Sequence, residues 1–98
     1  MTDRFADPRA REVMQRIEAA LARREHETFE HLTESGHARA CVNLRGRLVG
    51  IVFLEKNILR VTDRESLAAE LQAAITAAQG QAEDAAAAIA AEHYAELG

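Results

Sequence analysis

The stretch that decides the fold is residues 38–54, ARACVNLRGRLVGIVFL. Ala38, Ala40, Val42 and Leu44 alternate with Arg39, Cys41 and Asn43, a period of two that marks a strand with one face buried. Arg45-Gly46 then supplies a tight turn, because glycine accepts the positive φ that hairpin turns require. The return strand, residues 47–54, is apolar on both sides: Leu48, Val52 and Leu54 take one face, Val49, Ile51 and Phe53 the other. A strand of that kind must be covered twice. The helices of one small domain can cover one face; the other asks for a second copy. Leu48, Val49, Ile51 and Phe53 are therefore the expected homodimer interface.

Upstream, Asp7-Pro8 has the form of a helix start, with Asp as N-cap and Pro at the first helical position. Ala10, Val13, Met14, Ile17, Ala20 and Leu21 follow at helical spacing and make one apolar stripe. Arg9, Arg16 and Arg23 recur every seven residues as a column beside it, and Arg11 and Arg24 add two more charges. Between Arg9 and Arg24 five arginines stand against Glu12 and Glu18, so this helix is locally +3. Residues 27–33 break strict alternation, but the Ser35-Gly36 turn pair that follows reads them as a short first strand. With the hairpin this gives a three-stranded antiparallel meander.

Downstream, Glu55-Lys56-Asn57 is a polar connector, and Ile58-Leu59 are expected to tuck under the sheet edge. Thr62-x-x-Glu65 is a capping-box signature before an apolar-periodic run. Leu67, Leu71, Ile75, Ala78, Ala82, Ala86, Ile89, His93 and Leu97 then advance in an eleven-residue repeat, which keeps one face aligned along a nearly straight helix. One long helix over about residues 64–96 is predicted, with a bend at Gly80 allowed. The alternative is a glycine C-cap there and two separate helices.

Ninety-eight residues make a single domain, spanning 1–98, with a modest core built from small and aliphatic side chains. One cysteine, Cys41, rules out an internal disulfide and suits a reducing cytoplasm. The start of the chain shows no apolar run of the kind a signal peptide needs, and no stretch approaches a membrane span. A cytoplasmic protein with no membrane partner is the expectation. The net charge of −4 hides an asymmetry: residues 1–60 carry eleven basic and nine acidic groups (+2), residues 61–98 one basic and seven acidic (−6).

The order of elements and two stretches together resemble the YbaB/EbfC family of small bacterial nucleoid-associated proteins. The first is ESGHARACVNLRGRLVGIVF, similar to the family's E-S-G, strand, short Gly-containing turn and L-V-x-[VI]-x-[VIF]. The second is TDRESLAAELQAAITAAQGQAED, similar to its connector and L-x-x-x-[LIV]-x-x-A-[VI]-x-x-A helix. The resemblance covers about residues 8–90. The chain departs from it at His37 and Ala38, where the family carries more glycine, and in an acidic, Ala-rich second helix where the family carries lysine. The resemblance implies a homodimer with central strands and projecting helices, binding double-stranded DNA without catalysis. Some actinobacterial relatives sit among type VII secretion genes and are associated with protein partners, and the composition here suits an actinobacterial source.

Two physical readings of the Arg column are open. Guanidinium groups spaced along a helix can follow the phosphates of a duplex backbone, which makes Arg9, Arg11, Arg16, Arg23 and Arg24 the candidate nucleic-acid-binding residues. They can equally pair with acidic residues of a neighbouring helix, and Glu70, Glu83, Asp84, Glu92 and Glu96 lie on the long one. Arg39, Arg45 and Arg47 are either solvated loop and strand residues or secondary phosphate contacts. His31, His37 and Cys41 lack metal-ligand spacing, and His26 and His93 read as surface or helix-end residues, so no metal or other cofactor is expected. No glycine-rich phosphate loop, G-x-S-x-G or carboxylate pair beside a nucleophile is present, which argues against an enzyme. The leading expectation is a nucleoid-associated homodimer that binds duplex DNA with little base specificity. The alternative is a protein-binding adaptor of the secretion-associated type, whose acidic helix docks a helical partner.

Overall fold

A computed structural model of the chain describes residues 8–95. In chain order it has α1 (Pro8–Arg23), β1 (Thr28–Leu32), β2 (Ala38–Asn43), β3 (Leu48–Phe53), α2 (Ile58–Val61) and α3 (Arg64–Ala95). The strands form one antiparallel sheet in the order β1-β2-β3. The expected class, α+β with a three-stranded meander between an N-terminal helix and a long C-terminal one, is observed.

The core follows from the small side chains of β2 and α3. Ala38, Ala40 and Val42 are fully buried on one face of the sheet, and α3 lies across that face over β2 and β1, burying Ala74, Ala78 and Ala82. Alanine on both surfaces lets the helix come close, and Val42 packs with Ala78, Ala82 and Phe29. Beyond the sheet α3 continues against α1, where Ala20, Leu44 and Ile89 form a second cluster with Leu21, Ala85 and Ala86 around it. The two helices run antiparallel, with Ala20 beside Ile89 and the Tyr94 hydroxyl donating to Met14 Sδ at 3.3 Å. The molecule measures 62 × 26 × 17 Å with a radius of gyration of 18.5 Å. A compact chain of this length would have about 13 Å, so the α1–α3 pair stands out as an arm.

Both hairpin turns are fixed by side chains. In the first, the Thr33 N–H donates to Ala38 O at 2.9 Å, and its buried hydroxyl donates to the same oxygen and accepts the Ala38 N–H, each at 3.2 Å. Gly36 closes this turn at φ +78°, and Glu70 of α3 accepts the Ser35 N–H at 2.7 Å. The second turn is longer than the two-residue Arg45-Gly46 loop expected. Asn43 and Arg47 close it (Asn43 N–H to Arg47 O, 2.9 Å), Gly46 stands at φ +81°, and Asn43 Oδ1 accepts the N–H groups of Arg45 and Arg47 at 3.0 Å. This is a three-residue loop ending in a left-handed glycine. Gln79 of α3 donates to Gly46 O at 3.0 Å, so the helix is pinned to both turns.

Three further expectations are corrected. The register runs Cys41↔Gly50 and then Val42↔Leu48, which leaves Val49 as the extra residue of a β-bulge. One inserted residue reverses the alternation on its far side. Leu48 therefore joins Ile51 and Phe53 on the face shared with Ala38, Ala40 and Val42, and Val49 leaves them. Leu59 does not tuck under the sheet: residues 58–61 make a single helical turn that half-buries Ile58 and leaves Leu59 57% and Val61 52% exposed. Asp63, not Thr62, caps α3. Its two carboxylate oxygens accept the Ser66 N–H (2.8 Å) and hydroxyl (3.0 Å), which holds the Asp63 carboxyl below its ordinary pKa.

From that cap α3 runs unbroken through Gly80, so the single-helix reading holds and the two-helix alternative does not. Ala78, Ala82 and Ile89 of the eleven-residue stripe are buried, and Leu67, Leu71, Ile75, Ala86 and His93 are half-buried. The Asp7 cap and Leu97 fall outside the described residues.

Candidate nucleic-acid interface

The apolar stripe of α1 dictates where its arginines go. Val13, Ile17 and Ala20 are buried and turn the opposite surface outward; Met14 of the same predicted stripe is 43% exposed. Arg9, Arg11, Arg16, Arg23 and Arg24 are all exposed. At 1.5 Å per residue Arg9 and Arg23 lie about 21 Å apart along the axis, a length matching about six phosphates of one B-DNA strand. Seven-residue spacing keeps Arg9, Arg16 and Arg23 on one flank, since two turns of helix take 7.2 residues.

Their local partners differ. Arg16 Nη2 lies 2.9 Å from Glu12 Oε1, one turn earlier, with both side chains more than half exposed. Such an i,i+4 pair at the surface is worth only about 0.3–0.5 kcal/mol, so a phosphate can displace it. Arg24 is held harder. Its Nε and Nη2 donate to the two carboxylate oxygens of Glu27 in a forked pair. That pair raises the Arg24 pKa above its usual value and lowers that of Glu27. The forked pair makes Arg24 less available to an external anion than its exposure alone suggests. Its role as the brace of the α1–β1 junction was hidden in the sequence, although Glu27 at i+3 was the signal that could have shown it.

Three further arginines lie on β2 and at the second turn. Arg45 Nη2 lies 3.4 Å from Glu18 Oε2 of α1, and Arg39 Nε 3.4 Å from Glu30 Oε2 of β1. Arg47 is exposed. The acidic residues Glu83, Asp84 and Glu92 are exposed on α3 within the arm, so the arm carries a basic helix beside an acidic one.

The expected dimer residues all lie on β3, at the sheet's edge. Leu48 is 48%, Val49 55% and Phe53 54% exposed, and Ile51 is half-buried. The bulge spreads them over both faces, with Val52 and Leu54 beside Val49 on the face α3 leaves uncovered. Val52 and Leu54, read from the sequence as part of the same apolar strand, are exposed too, and so are Leu59 and Val61, which sequence reasoning had not expected to be exposed. Among the described residues no group of three or more His, Cys, Asp or Glu is placed to hold a metal ion, and no helix is long and apolar enough to cross a membrane. A scan against protein-family models gives no match, and neither a search of curated proteins nor one of solved structures finds a similar chain.

Proposed function

We propose that this chain is a homodimeric, non-catalytic, nucleoid-associated protein of the cytoplasm, similar to the YbaB/EbfC family, which grips duplex DNA by its phosphates. The reading rests on one observation: Arg9, Arg16 and Arg23 stand exposed in a single row on an arm that projects from the sheet. Arg11 adds to the row. A helix laid along the backbone in this way reads charge and spacing and leaves the base edges untouched. The second copy adds a second arm and covers β3. Its apolar edge supplies the driving force at about 25 cal/mol per Å² of apolar area removed from water.

The test is a salt titration of the full chain against random duplex. Each phosphate neutralised contributes about 0.9 to the slope of log K against log salt. Replacing Arg9, Arg16 and Arg23 by Ala removes six contacts per dimer and lowers that slope by about 5. A slope unchanged by the triple substitution overturns the role of the column. Light scattering that finds a stable monomer at micromolar concentration overturns the dimer, and an Ile51→Asp chain that still dimerises moves the interface off β3.

A second reading, a secretion-type protein adaptor, is favoured by the −6 charge of residues 61–98 and by the exposed carboxylates of α3, which repel phosphate. No binding to duplex at low salt, where electrostatic attraction is greatest, makes the adaptor the better account.

A further inference from the structure

The sheet has a second edge, and its chemistry is unlike that of β3. β1 pairs with β2 alone. The Thr33 N–H points at Ala38, so by the alternation of an antiparallel ladder His31 and Phe29 also direct their backbone groups inward. Thr28, Glu30 and Leu32 then direct theirs outward, with no strand to receive them. Beside this edge runs a groove of about 420 Å³, walled by His31, Leu32 and Glu34 on one side and Ala69, Glu70 and Ala73 of α3 on the other. Ala69 and Ala73 leave the space that longer side chains would fill.

We propose that this groove takes an extended, basic peptide segment of another protein as a fourth strand of the sheet. Main-chain pairing to Glu30 and Leu32 supplies affinity, and alternate side chains of the peptide enter the alanine-lined floor. Charge selects the occupant. The lining carries two carboxylates, Glu34 and Glu70, and no Lys or Arg; Glu34 is exposed, and Glu70 uses Oε1 on the Ser35 N–H. A second copy fits poorly, because β1 (TFEHL) would bring another Glu30 and β3 (LVGIVF) has no charge to offer. A strand alternating aliphatic and basic residues matches both wall and rim. This surface is separate from the Arg column and from β3, so the inference stands or falls apart from the DNA reading.

The probe is a fluorescein-labelled, end-blocked hexapeptide alternating Val and Lys, titrated into the full chain at low salt and followed by anisotropy and amide hydrogen exchange. Saturable binding is expected, with new protection at the Glu30 and Leu32 amides. The same peptide with Glu for Lys, or with alternate amides N-methylated, should not bind. Ala73→Leu, at an exposed position, should fill the groove and weaken binding about tenfold, as loss of a central contact does. Glu34→Lys, on the turn and clear of the core, should weaken it several-fold if the rim selects charge, which keeps the test valid even where Ala73→Leu misfolds. Absence of binding overturns the proposal. So does equal binding of the N-methylated or Glu-containing peptide, protection confined to β3, or indifference to both substitutions.

Discussion

β2 and β3 are neighbours of six residues each, and the less apolar of the two is the buried one. β2 includes Arg39 and Asn43, yet Ala38, Ala40 and Val42 are completely enclosed; β3 reads LVGIVF, and Leu48, Val49, Val52 and Phe53 are at least 40% exposed. Composition does not decide burial here. Position does: β2 has a strand on each side and α3 above it, whereas β3 is an edge that α3 passes by. A middle strand can be built from alanine because its neighbours supply the enclosure. An edge strand of Leu, Val, Ile and Phe has more apolar surface than its own fold uses. That excess is the physical case for a second copy.

The sharpest way to break the comparison is to put one charge on each strand. Val42→Asp buries an unpaired carboxylate among Ala78, Ala82 and Phe29 and should cost about 4 kcal/mol or more, enough to unfold a domain of this size; loss of the helical circular-dichroism signal is the readout. Phe53→Asp should leave that signal and the thermal transition of the monomer in place, while light scattering shows the dimer dissociating at concentrations where the parent is associated. If both variants unfold, β3 belongs to the monomer core and the distinction between the strands fails.

The helix above the sheet offers a smaller test of the same idea. Ala78 is fully enclosed over β2, so Ala78→Leu overpacks the helix–sheet contact and should destabilise by about 1–3 kcal/mol in urea unfolding. Two positions along, a Cβ built on Gly80 meets nothing within 4 Å. Gly80→Ala should therefore stabilise by about 0.5–1 kcal/mol, the intrinsic preference of a helix interior. A loss of stability at Gly80 would mean that the unbroken course of α3 is wrong there.

The smallest effect is at the start of α3. Because Ser66 holds the Asp63 carboxylate below its ordinary pKa, its stabilising contribution is complete above the unfolded value of about 4. It is lost as pH falls through the lower, folded value. Asp63→Asn should flatten the melting temperature over that acid window and leave it nearly unaltered at neutral pH, where an Asn cap substitutes well.

Much of this architecture was legible because it depends on local periodicity. The alternation of Ala38, Ala40, Val42 and Leu44 marked the buried face, and the eleven-residue repeat from Leu67 gave the length of α3 through Gly80. What escaped depends on one-residue offsets. The β-bulge at Val49 is marked only by the neighbouring Gly50, a weak signal inside a strand, and it moved Leu48 and Val49 across the sheet. The cap shifted from Thr62 to Asp63 because both residues are good caps and only the backbone path chooses between them. Of the candidate interface, the exposed arginines followed from the stripe they flank. The tie between Arg24 and Glu27 did not, since it forms across a chain reversal that the sequence marks only weakly.

One further property belongs to the unbroken course of α3. Because a single helix serves both as the lid of the sheet and as half of the arm, the two cannot move independently. From Ala78 to the last described residue the rod extends about 25 Å. A tilt of about 10° where α3 rests on β2 swings the far end by about 4 Å, close to one base-pair step. The alanine seam thus acts as a fulcrum. Small rearrangements at either hairpin, transmitted by Gln79 and Glu70, should therefore shift the far end of the α1–α3 arm.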